Sequence, residues 1–321
     1  MILVTGASGY IGSQLVADLL ARDQQVRVLM RTPRSGLSSA IDCRLVDDFS
    51  LPQVKDAMKG VSAVIHLAGR AHSFNERNTD RETAYKTANR DLTLSLARAA
   101  TESRVSRFVF MSTVKVYGDS VADRICESDS PRPIDAYGRS KLAAEVGLTG
   151  IARSTGMETV IVRSPIVYGP HCPGNVRRLC NWVKTGIPLP FGAIRNRRSM
   201  IGVRNLTDLL ILAARAPRAA DQIFVVSDGY PVSTPQMVRS LAEGLGVHPR
   251  LFNISPGLLA LAGTVGGYRS ELERLCGSLE VDASRVRDVL GWRPLHSTHH
   301  GLVEAGASFR AVREPSARAS A

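Results

Sequence analysis

The stretch DAYGRSKLAAE places Tyr137 and Lys141 four residues apart at the start of a helical pattern, so their side chains share one face. A free phenol, with an ordinary pKa of about 10, exchanges protons poorly at neutral pH, whereas a neighbouring ammonium stabilises the phenolate and lowers that value. A tyrosine and a lysine at this spacing therefore make a proton-transfer device. Upstream, residues 112–118 read STVKVYG. There Ser112 and Thr113 either begin a turn or set hydroxyls beside a reacting substrate.

A second pattern, TGASGYIG, sets Gly6, Gly9 and Gly12 three apart between a strand-like run and a helix-like run that opens on Tyr10 and Ile11. Such glycines permit a tight turn, let the backbone approach a pyrophosphate, and start the helix close to the sheet with its positive end aimed at phosphates. Placed after the first strand of an alternating chain, they have the context of a dinucleotide-binding turn. The end of the second strand reads the adenosine ribose. A carboxylate there binds its hydroxyls, and a cation suits a 2′-phosphate. The chain has Arg31 and Arg34, which favours NADP(H), with NAD(H) as the alternative.

Around these groups the sequence lays out strands and helices in alternation. ILVTGASGYIGSQLVADLLARDQQVRVLMR reads as strand, turn, helix, strand, and further strand-like runs follow at AVIHLAG, RFVFMST, TVIVRSPIVYG and QIFVVSDG, separated by helical stretches such as ANRDLTLSLARAATES. This is the signature of an α/β fold, a Rossmann-type doubly wound parallel sheet covered on both faces. Beyond Gly169 the text turns Pro- and Gly-rich. The expected organisation is a dinucleotide-binding domain over 1–168, with 200–229 returning to it. A smaller substrate domain spans 169–199 and 230–310, and a disordered tail follows at 311–321.

The bulk properties exclude several classes. With 321 residues and 44% hydrophobic composition the chain has ample material for a core. The N-terminus shows no secretory pattern, so a cytoplasmic location is expected. The longest apolar stretch, ISPGLLALAGTVGGY at 254–268, is too short and too broken to span a membrane and reads as a packed helix. The net charge of +12 is spread along the chain without an aromatic-interleaved basic module, which fits an anionic small ligand and no nucleic acid. The five cysteines are scattered as reduced thiols, and no metal set is expected. His296, His299 and His300 cluster in what reads as a surface loop, and His66 reads as structural.

Taken together, the glycine turn, HLAG at 66–69, Asn89, STVKVYG, Tyr137 with Lys141, and RSPIVYGP at 163–170 resemble, in order and spacing, the extended short-chain dehydrogenase/reductase family of sugar-nucleotide epimerases, dehydratases and reductases. The resemblance covers the chain to about residue 300. It implies a nicotinamide cofactor in the N-terminal domain, a UDP-sugar substrate held between the two domains, and a homodimer formed through Rossmann-domain helices. By position it implies that Thr113 hydrogen-bonds the reacting sugar oxygen beside Ser112, that Tyr137 exchanges the proton, and that Lys141 binds the nicotinamide ribose. It further places Asp48 and Phe49 at the adenine. Leu67, Ala68, Gly69, Asn89 and Pro165 fall along the cofactor.

The same resemblance narrows the reaction. Family members that remove water from a hexose carry Thr-Asp-Glu where this chain has Thr113, Val114 and Lys115, because elimination needs an acid and a base besides the hydride site. Val114 transfers no proton and Lys115 is no carboxylic acid, so dehydration is disfavoured. The downstream text, with PLPFGAI followed by NRRS, resembles a subgroup from bacterial surface-polysaccharide pathways. There Asn175 falls at the diphosphate, Leu189 and Phe191 around uracil, and Arg198 on the nucleotide phosphates, while Arg195 and Arg197 read as a solvated loop. Ile166 replaces an Asn that many members carry. The expectation is an NADPH-dependent reduction of the C4 ketone of a UDP-2-acetamido-2,6-dideoxy-4-hexulose to UDP-N-acetylquinovosamine or its C4 epimer. The alternatives are a UDP-hexose 4-epimerase with tightly held NAD and a non-catalytic dinucleotide-binding regulator.

Overall fold

The computed structural model describes the chain except for residues 34, 35, 37, 47–50, 72–77, 119–123, 256, 260–263, 265–271, 273, 274 and 311–321. Arg34, Asp48, Phe49, much of the apolar run 254–268 and the tail 311–321 thus lie outside the described residues. The strands are β1 (Ile2–Thr5), β2 (Val26–Met30), β3 (Ile41–Leu45), β4 (Ala63–His66), β5 (Arg107–Thr113), β6 (Glu158–Ser164), β7 (Ile166–Tyr168), β8 (Met200–Gly202) and β9 (Gln222–Val225). The helices are α1 (Tyr10–Leu20), α2 (Leu51–Met58), α3 (Asn78–Tyr85), α4 (Leu92–Glu102), α5 (Ala136–Thr155), α6 (Asn175–Lys184), α7 (Val203–Ala213), α8 (Thr234–Leu245), α9 (Ser284–Leu290) and α10 (Thr298–Ser308).

The chain forms two compact units. The first joins Met1–Pro165, Val203–Ser227 and Val281–Arg293. Its sheet has seven strands in the order β3-β2-β1-β4-β5-β6-β9, every neighbouring pair parallel. Each residue of β1, β2, β4 and β5 is buried, as strands covered on both faces require. Leu3, Val64, Phe108, Phe110, Leu96 and Leu148 belong to one continuous core between the sheet and the helices α4 and α5. The strand order reverses between β1 and β4. In such sheets the crevice at the carboxyl ends beside the reversal is where ligands bind.

The run TVIVRSPIVYG, read as one strand, is two. Pro165 carries no backbone N–H and ends β6, and Ile166–Tyr168 pairs instead with β8 in a separate two-stranded ladder. That ladder belongs to the second unit, which joins Ile166–Gly202, Asp228–Glu280 and the chain from Pro294 onward. Its helix α8 starts at a full capping box. Ser233 accepts from the Gln236 amide, the Gln236 side chain reaches back, and Gly246 closes the far end at φ +70°.

Candidate active site

The turn between β1 and α1 is shaped for close approach. Gly6 holds φ at +72°, and a Cβ there would lie 2.6 Å from the Ala68 backbone nitrogen. A Cβ on Gly12 would run into the carbonyl oxygen of Gly6. Gly9 donates its N–H to that same oxygen at 3.0 Å and starts α1 with no side-chain cap, and the first turn, opened by the half-buried Tyr10 and Ile11, holds no acidic residue. The helix therefore presents its N-terminal amides at the carboxyl end of β1 without a carboxylate to satisfy them. A cradle that any Cβ would fill, beside a positive helix end, fits a dinucleotide's pyrophosphate.

The loop after β4 is tied to this turn. Leu67 N–H donates to the Thr5 carbonyl at 3.2 Å and Ala68 N–H to Thr5 Oγ1 at 3.3 Å. Thr5 Oγ1 lies 2.6 Å from His66 Nδ1, His66 Nε2 lies 2.9 Å from Thr93 Oγ1, and Thr93 donates to the Asn89 carbonyl. Every partner is satisfied in one direction only. Thr5 donates to Nδ1, and the ring donates from Nε2 to Thr93. Burial, with the Lys141 cation adding to it, lowers the His66 pKa to about 3, so the ring is neutral and structural. Asn89 sits fully buried in a π-helical turn, Lys86–Asp91, and its amide accepts from Arg70 N–H at 2.7 Å and donates to the Arg70 carbonyl and to Ser140 Oγ. Its side chain thus acts as a strut for the segment that contains Gly69.

Thr113 ends β5, accepts from Lys115 N–H at 3.3 Å and so caps the 3-10 turn Val114–Tyr117. Asp135 caps α5 by accepting from Gly138 N–H at 2.7 Å, which places Tyr137 in the first turn of that helix. The Thr113 side chain lies near enough to the Tyr137 phenol to favour its ionised form. One turn on, Lys141 is 5% exposed, donates from Nζ to the Met111 carbonyl at 2.8 Å, and stands 4.5 Å from the centre of the Phe110 ring. Burial lowers its pKa to about 8, against the opposing pull of Glu145. The sequence led to a phenol lowered by Lys141. Instead burial, then Asp135, push Tyr137 above its ordinary value, with only the Thr113 side chain opposing them. The ammonium is spent on a backbone carbonyl.

Other sequence-derived residues fall in varied places. Ser112 is 2% exposed and donates its hydroxyl to Glu145, so it faces the interior rather than a substrate. Val114 is buried and Lys115 Nζ is paired with Asp135 at 2.6 Å, which leaves neither position with a carboxylate. Arg31 is exposed directly after β2, and Pro165 is buried directly after β6. Glu145, Arg163 and Asp135 went unread in the sequence. Two of them carried a signal: Asp135 stands at the N-cap position before the helical pattern, and Glu145 lies the same four-residue step beyond Lys141 that links Lys141 to Tyr137.

In the second unit, Asn175 is exposed at the first position of α6, after Gly174 at φ +74°. Leu189 and Phe191 are buried, 6% and 3% exposed, on a segment bonded to Arg250 and Phe252 through backbone groups. Arg198 is 9% exposed, exchanges backbone bonds with Val232 and donates from Nη1 to the Gly277 carbonyl at 2.7 Å. Arg197 pairs with Glu280 at 2.6 Å rather than standing alone in solvent. His299 and His300 lie not in a loop but in the first turn of α10, which Ser297 caps. Among the described residues no three His, Cys, Asp or Glu side chains gather to hold a metal, and no helix is long and apolar enough to cross a membrane.

Comparison with known proteins agrees with this geometry. Residues 2–227 match the family described as NAD dependent epimerase/dehydratase. A Vibrio cholerae protein named UDP-glucose 4-epimerase is 37% identical over 316 residues, covering 96% of this chain and 95% of that one. A Streptomyces niveus dTDP-glucose 4,6-dehydratase is 26% identical over 96% of this chain and 92% of its own length. The solved structure of MoeE5 in complex with UDP-glucose and NAD superposes with a TM-score of 0.77 at 26% identity, covering 96% of this chain and 98% of that one.

Proposed function

The chain belongs to the NAD dependent epimerase/dehydratase family, and from that premise we propose that it is a UDP-hexose 4-epimerase of the UDP-glucose/UDP-galactose type working with NAD. The observation that carries the reading is the Thr113 hydroxyl acting on the Tyr137 phenol, with Lys141 buried one turn on and no carboxylate at 114 or 115. Two hydroxyls and an ammonium suffice for alcohol–ketone interconversion at one carbon. They do not suffice for elimination of water.

In this reading Tyr137 Oη takes the proton from the sugar's C4 hydroxyl and later returns it, while Thr113 Oγ1 holds the same oxygen. NAD held in this cradle would supply the hydride acceptor for C4 and a cationic ring that favours an ionised phenol. Gly6, Gly9 and Gly12 hold its pyrophosphate and Lys141 its nicotinamide ribose. A homodimer in the cytoplasm belongs to the same reading.

The support for epimerisation over reduction is the 37% relative, similar along nearly all of both chains, and a MoeE5 structure that carries NAD. Reduction of a UDP-4-keto-6-deoxy-N-acetylhexosamine by NADPH is the second reading. It draws on the cation Arg31 at the end of β2, and on a phenol poised as a proton donor. Purified protein is mixed with UDP-galactose and no added cofactor. Formation of UDP-glucose, with NAD released on denaturation, is the expected result. NADPH consumption on the 4-keto-6-deoxy sugar without any interconversion of the hexoses would overturn the proposal in favour of the reductase.

A further inference from the structure

Behind the site lies a buried ionic network that the reaction as drawn does not use. Glu145 is 3% exposed and Arg163 4%, and the guanidinium pairs with the carboxylate through Nη2 at 2.6 Å and through Nε at 3.2 Å to each oxygen. Ser112 donates to Glu145 Oε1, and Arg163 Nη1 donates to the Tyr117 hydroxyl. Burial pushes the Tyr117 phenol up to about 12, so it stays neutral beside the cation. A buried ion pair is a poor device for stability alone, since well-packed apolar residues often replace it without loss.

What distinguishes this one is where its members are attached. Glu145 follows Tyr137 and Lys141 at the same four-residue step along α5. Ser112 adjoins Thr113 on β5 and is register partner to Arg163 on β6. Tyr117 ends the 3-10 turn that Thr113 caps. We propose that Glu145, clamped by Arg163, is a positioning residue that holds the Tyr137–Lys141 face of α5 against the Thr113 end of β5 and supplies the buried counter-charge to Lys141.

The groups facing Lys141 bear this out. From β4 comes His66, neutral; from β5 the Phe110 ring and the Met111 carbonyl; from the loop after β4 the backbone of Gly69; from its own helix Glu145. Glu145 is the anion among them, and it acts to raise the Lys141 pKa against burial.

The catalytic part of the proposal rests on the hydride-transfer reading above, so the test carries one measurement independent of substrate. In Glu145→Gln, kcat should fall at least about tenfold with KM within about threefold, the pattern of lost alignment. The titration midpoint of Lys141, followed by NMR of 13Cε-labelled lysine and assigned by its loss in Lys141→Arg, should drop by about one pH unit or more. The double variant Glu145→Gln/Arg163→Met removes the stranded guanidinium and should regain the wild-type Tm while staying slow. A double variant that regains both Tm and kcat, or a Glu145→Gln protein with unchanged kcat and titration, overturns the proposal. A wild-type protein inactive on UDP-hexoses whose Lys141 midpoint still drops in Glu145→Gln overturns the epimerase reading and leaves the counter-charge assignment standing.

Discussion

The side chain of Thr113, at the end of β5, acts on the phenol of Tyr137, in the first turn of α5, and opposes the rise of its pKa. Two hydroxyls from distant parts of the chain thereby become neighbours.

Removal of the phenol hydroxyl takes away the proton and little else. Tyr137→Phe should lower turnover by about 10²–10⁴, the range of a single acid–base group, while NAD binding by calorimetry stays within about twofold. Turnover near the wild-type rate would remove Tyr137 from the chemistry.

Asp135 raises the Tyr137 pKa and also caps α5. Asparagine caps a helix about as well, so Asp135→Asn keeps the cap while removing the charge and its pairing with Lys115. The limb of the pH–rate profile that reports the phenol should move to lower pH, with Tm little changed. An alkaline movement of that limb would contradict the electrostatic assignment.

Gly12→Ala would drive its methyl group into the Gly6 carbonyl, backbone against backbone. A cost of about 3 kcal/mol or more in urea unfolding is expected, together with loss of dinucleotide binding. A variant that binds NAD like the wild type would show that the turn can open.

His66 should make the fold acid-sensitive. Its folded pKa of about 3 lies below the ordinary 6.5, so between those values the unfolded chain binds a proton that the folded chain refuses. Stability is therefore full above pH 6.5 and lost progressively as pH falls toward 3, by about 5 kcal/mol in all. Urea unfolding of His66→Gln should show a shallower loss over that window. Parallel curves for the two proteins would assign the acid sensitivity elsewhere.

Arg31 is exposed, so its replacement tests recognition without disturbing packing. Arg31→Glu should shift the ratio of NAD to NADP affinity by about tenfold toward NAD. An unchanged ratio would mean that this cation never meets the cofactor.

Groups whose chemistry is set within one element were legible in the sequence. Tyr137 and Lys141 share a helix face because four residues make about one turn, and the glycine turn is recognisable by the spacing of its glycines, although Gly6 is also needed for the approach of Ala68 from the loop after β4. The alternation of elements likewise announced a parallel sheet. The resemblance placed Ser112 beside Thr113 as a second substrate contact. Packing of α5 on β5 decides otherwise: Ser112 is buried and donates to Glu145, two turns beyond Tyr137, while Thr113 at the strand's end acts on the Tyr137 phenol. Pro165, which has no backbone N–H for a ladder, marks in the sequence the break between β6 and β7.

The sequence by itself determined which residues could transfer a proton and cradle a phosphate, since those depend on side-chain type and short-range spacing. Only the tertiary structure decided their electrostatic state. Burial, which no local pattern reports, raises Tyr137, lowers Lys141 and holds His66 neutral; Thr113 from β5 opposes it at Tyr137, and Glu145 from the same helix opposes it at Lys141. Arg163 reaches Glu145, and Lys141 the Met111 carbonyl, because parallel strands and the helix packed on them bring together residues far apart in the chain.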